Sequence, residues 1–169
     1  MCIRDRIGGD SDSDCGCVQH HYAFESHSDS TINYGPLHWA ATGSAPLIRL
    51  VFEKGGGFHS DKATLTASGS GTAGPCSMQG GGQTALSVKG KTVGETDKKL
   101  QITATSEGGQ GTGSAECPHA SDSMTMPFQQ SSSISFELDA IVGARHDFPT
   151  MQGVPGGGGS AWVKLIKID

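Results

Sequence analysis

The chain carries few charges and almost no large aromatic side chains. Asp, Glu, Lys and Arg make up 17% of its 169 residues, and two Trp and two Tyr are the whole supply of those types. No run of Lys or Arg occurs, and the net charge is -5. Proteins that cover phosphates show a basic footprint, so nucleic acid is excluded as an expected partner. Long apolar runs are also missing. The longest, Pro46 to Phe52, is broken by Arg49, well short of the roughly 18 residues of a membrane helix. No membrane span is therefore expected in the given chain.

Helix formers are scarce, whereas Gly contributes 26 residues and Ser and Thr are abundant. Glycine costs about 1 kcal/mol in a helix interior, and Ser and Thr compete there for the backbone. The composition thus favours strands and turns. The expected fold is all-β: an antiparallel β-sandwich or partly closed barrel of about eight to ten short strands, with glycine-rich turns and little helix. Over residues 32–169 the composition resembles that of the Gly/Ser/Thr-rich β proteins exported by bacteria, and no motif narrows this to a family.

Residues 1–31 read as a disordered leader or linker, because 8–31 is rich in Asp, Ser and His with little apolar periodicity. Its opening Met-Cys-Ile-Arg-Asp-Arg, residues 1–6, resembles a translated sequencing-adapter remnant. No export signal is present in the given chain, since an apolar h-region is lacking at its start. A single β domain is predicted over 32–169.

Alternation marks its strands. Ile48, Leu50 and Phe52 share one face, opposite Leu47, Arg49, Val51 and Glu53. Ala63, Leu65 and Ala67 form another face, and that strand is expected to dissolve into Ser68-Gly69-Ser70-Gly71. Leu86 and Val88, then Leu100, Ile102 and Ala104, flank a hairpin connection at 91–97 in which Gly94 can take positive φ. Ile134, Phe136 and Leu138 point inward. The run Trp162 to Ile168 is apolar on both faces and suits a closing strand, with Trp162 in the core.

A faint echo relates 63–76 to 101–117: strand, glycine-rich bend, cysteine. It is expected to reflect composition or two similar hairpin arms. The equivalent placement of Cys76 and Cys117 predicts a disulfide between them, stabilising by roughly 4 kcal/mol for a loop of about 40 residues. That bond implies an oxidising, extracytoplasmic compartment, whether secreted, periplasmic or cell-surface.

Candidate chemistry is sparse. Asp10, Asp12 and Asp14 fail as a calcium loop, with Cys15 at the glycine position and His21 at the bidentate one. Cys15, Cys17, His20, His21 and His27 have metal-binding side chains, at spacings that match no closed site. His59 near Asp61, His119 near Asp122 and His146 beside Asp147 read first as surface residues. Arg145-His146-Asp147 and His38-Trp39 are the places where an active site is expected if one exists, and Tyr34 with Trp39 could form a ligand platform. The expected function is a secreted or envelope-associated non-enzymatic module, structural or ligand-binding, with no cofactor and a possible envelope or extracellular ligand. The alternative is an extracytoplasmic hydrolase, metal-dependent or not, with His38, His119, His146 and Asp147 gathered at one end. Convergence of the three histidines would favour that alternative.

Overall fold

Short turns set the connectivity. Gly35 (φ 56°) and Gly74 (φ 58°) each precede a proline. A positive φ followed by the fixed φ of proline fits the tight hairpin that reverses a strand in two residues. The computed structural model of the chain describes residues 21–53, 55–95, 99–129, 131–150 and 153–168. Between the turns run β1 (His21–Tyr34), β2 (Leu37–Phe52), β3 (Gly57–Ser60), β4 (Ala63–Ala73), β5 (Cys76–Val93) and β6 (Lys99–Cys117). They are followed by β7 (Ala120–Gln129), β8 (Ser132–Asp139), β9 (Arg145–Phe148) and β10 (Gly157–Ile168).

These ten strands form one antiparallel sheet. β3 and β4 lie end to end between β2 and β5, and β7 and β8 lie end to end along β6. Counting each end-to-end pair as one stave, the sheet has eight staves in up-and-down order. β10 pairs with β1 on one side and β9 on the other, so the ring closes except between β8 and β9. There, side chains take the place of a ladder: His146 stacks on Phe136 at 5.0 Å, and Phe148 meets Phe136 edge-on at 5.0 Å. The fold is a partly closed barrel.

Irregularities across six neighbouring staves fall at one level and make a waist. β1 and β2 shift register between Phe24 and Ser26, and β5 and β6 between Thr84 and Leu86. β3 gives way to β4 at Asp61–Lys62, and β7 to β8 around residue 131. Bulges bend and twist strands locally, so each stave can follow a different curvature on either side. Hydrogen bonds to Ser60 Oγ (from Val88 N–H, 2.9 Å) and from Ser131 Oγ (to the Glu107 carbonyl, 2.9 Å) tie the interruptions to their neighbours.

Below the waist the barrel interior is filled. Phe24, Leu100, Ile102 and Leu165 are fully buried, with Leu50, Phe58, Val88 and Leu138 packed around them. Each such side chain contributes about 1.5–3 kcal/mol of burial. The outer face at this level carries exposed Arg49, Lys89, Gln101 and Glu137, with Val51 exposed among them. Among the described residues no helix is long and apolar enough to cross a membrane.

Four readings of the sequence need correction. The folded part reaches back to His21 rather than starting near Ile32, because buried Tyr22, Ala23 and Phe24 anchor β1 between β2 and β10. β4 does not dissolve at Ser68 but runs to Ala73, and the strands are longer than expected, reaching 19 residues in β6. The two echo units are not equivalent arms: one is β4 with the first residue of β5, the other is β6 alone. Trp162 is not core, since it lies on the outer face against His27 (centroids 5.9 Å) and Arg145 (4.8 Å).

Candidate functional site

Above the waist the same inner face carries almost no side-chain bulk. Ala67, Gly69 and Gly71 on β4 face inward between Thr66, Ser68, Ser70 and Thr72, which are exposed. The register continues the pattern across the sheet: Ala41, Gly69, Gly80 and Gly113 form one row, and Gly43, Ala67, Gly82 and Gly111 the next. In an eight-stave barrel the interior is just wide enough for side chains to fill or for one small ligand. Where the side chains are deleted, room is left.

One indole occupies part of that room. Trp39 lies over Gly69, where an added Cβ would come 2.5 Å from Cζ2 of the ring, and close to Gly80, where it would come 3.7 Å from Cη2. Glycine is what allows the ring to lie against the backbone. The remaining hollow, about 480 Å³, is lined by Trp39, Met78, Ala41, Ala67, Ala115 and Asp122 over the glycine floor. Its walls are mostly apolar, as small-molecule sites are. Cys76 and Cys117 tie β5 to β6 beside it: their Cα atoms lie 4.2 Å apart and their sulfurs are bonded, one step beyond the Ser77–Glu116 register pair.

No family model, curated protein or solved structure matches the chain.

The residues singled out from the sequence are scattered. Trp39 faces inward and Tyr34 stands at the lip of the same face, 63% exposed. His38 points outward, with Nδ1 2.9 Å from Asn33 Oδ1. His119 is in the turn between β6 and β7, three strand spacings from β2 and so roughly 14 Å away across the sheet. His146 lies below the waist in the β8–β9 seam, while Asp147 turns outward and accepts from Arg145 Nε at 2.9 Å. Adjacent strand residues point to opposite faces, and this separates the His146 imidazole from its neighbouring carboxylate. The three histidines therefore do not share a pocket. His59 pairs with Glu53 (3.0 Å) on the surface.

Of the metal candidates, His21 and His27 sit six positions apart along β1, and His27 approaches Asp29 at 3.6 Å. Cys15, Cys17 and His20 lie outside the described residues. Among the described residues no group of three or more His, Cys, Asp or Glu could hold a metal ion.

Sequence reasoning missed Met78 and Ala115, and read Asp122 only as a surface neighbour of His119. A signal was present: glycine at every second position, in Ser-Gly-Ser-Gly-Thr (68–72) and Gly-Gln-Gly-Thr-Gly-Ser (109–114), has the period of a strand with one bare face. It was read as turn chemistry. The outer face of the same strands carries Thr42, Ser68, Ser70, Gln79, Thr112 and Ser114 along a shallow, uncharged depression.

Proposed function

We propose that the chain is a non-enzymatic ligand-binding β module of an extracytoplasmic compartment, and that the inner hollow takes an elongated, largely apolar small molecule. One observation carries this reading: a 480 Å³ hollow with an indole wall and a glycine floor on the inner face of the barrel. Core positions above and below the waist belong to the same staves, yet below it they hold Phe, Leu and Ile and above it Gly and Ala. Emptying a core costs stability, and a binding cavity is a return for that cost. The Cys76–Cys117 bond supports the compartment, because such bonds persist where the surroundings are oxidising. It also ties β5 to β6 beside the hollow.

The test is a fluorescence titration. Trp39 emission, isolated by Trp162→Phe, is followed while decyl maltoside is added below its micelle concentration. Saturable binding is expected, and Ala115→Phe, which fills the hollow, is expected to weaken it by at least about tenfold, the effect of losing a central binding element. Binding untouched by Ala115→Phe would move the ligand elsewhere or remove it.

A further inference from the structure

We infer that the hollow selects apolar cations, with the apolar body along Trp39 and Met78 and the ammonium group at Asp122; this rests on the hollow being the ligand site. The basis is a single register row. Trp39 pairs with Gly71, Gly71 with Met78, Met78 with Ala115 and Ala115 with Asp122. Residues in such a row share a face, so an aromatic ring, a thioether and a carboxylate stand in line across β2, β4, β5, β6 and β7. Four strand spacings separate the ends, about 19 Å measured along the sheet. A long chain with one polar end matches that layout better than a compact ring does.

Charge decides the polar end. Asp122 is the one ionisable side chain among the described residues lining the hollow. One of its oxygens accepts the Ser123 backbone N–H at 2.8 Å, which orients the carboxylate, and no cation among the described residues forms an ion pair with it. Met78, Ala115 and the glycines supply no charge that would compete, and the net charge of -5 draws cations toward the surface. An anionic amphiphile would bring like charge to the rim. A cationic one gains a charge-assisted contact there and an apolar wall behind it.

Decyltrimethylammonium, decyl maltoside and decyl sulfate share one chain length and differ in head group. Each is titrated below its micelle concentration against the Trp162→Phe protein, with and without Asp122→Asn. The ammonium probe is expected to bind about three- to tenfold more tightly than the maltoside, as one partly exposed ion pair allows, and the sulfate most weakly. Asp122→Asn is expected to remove the preference, so that the ammonium probe and the maltoside bind that variant alike, and 0.5 M salt, where the Debye length is about 4 Å, is expected to reduce the preference in the unsubstituted site. Equal affinities for the three probes, or a preference that survives Asp122→Asn, overturn the charge selectivity alone. Failure of all three probes to bind overturns the hollow as a ligand site as well.

Discussion

Cutting the Cys76–Cys117 bond is expected to lower stability by about 4 kcal/mol. The two residues are 41 apart in sequence, and releasing a loop of that length returns about 13 cal/mol/K to the unfolded chain, hence about 4 kcal/mol at 25 °C. Little is lost on the native side, because the ladder already brings Ser77 opposite Glu116 next to the bond. The effect therefore sits in the unfolded ensemble and should be the same whether the bond is reduced or removed as Cys76→Ala/Cys117→Ala. Urea unfolding reads it out. With a slope near 2 kcal/mol per M, the midpoint falls by about 2 M in both cases. A loss of that size is a large share of the 5–15 kcal/mol typical of a domain. A shift under about 0.5 M, or a double variant as stable as the oxidised protein, would refute the reasoning.

Three other perturbations have definite expectations. Leu100→Ala, at a fully buried position of the lower core, should cost about 3–5 kcal/mol in the same unfolding experiment, and a cost below 1 would mean that the core is not where the burial places it. Gly69→Val puts side-chain atoms where the Trp39 ring lies; the ring must leave, so its emission should shift to the red and stability should fall by about 1–3 kcal/mol, whereas unchanged emission would contradict the contact. Thr84 is buried with its hydroxyl unpartnered among the described residues, so Thr84→Val should raise stability by about 1 kcal/mol, and a clear loss would show that the hydroxyl is engaged.

What was legible in the sequence was legible through period-two patterns of large apolar residues. Ile48, Leu50, Val88, Leu100, Ile102 and Leu138 were placed on the correct face, and all of them are buried. Gly94 takes φ 100° in the β5–β6 hairpin, as a turn there requires. The upper half of the barrel was less legible, because its inner positions carry Gly, Ala and Ser, which give no apolar contrast to the Ser and Thr outside. For the same reason residues 21–31 of β1 read as part of the 1–31 leader: beyond Phe24, Ser26, Ser28 and Ser30 face inward where the core ends, and the short apolar stretch before them gives too little periodicity. Register is a long-range property. No local pattern shows that Trp39, Met78 and Asp122 share one row, and the hollow follows from that row.

The most direct test of the ligand-binding account is a chemical-shift map of the backbone amides on addition of decyltrimethylammonium. Shifts are predicted to concentrate at Trp39, Met78, Gly80, Gly113, Ala115 and Asp122, with little change at Thr103, Ser135 or Glu137 below the waist. Shifts centred on the outer-face hydroxyls of Ser70 and Thr112 without Trp39, or on Phe136 and His146 at the seam, would contradict it.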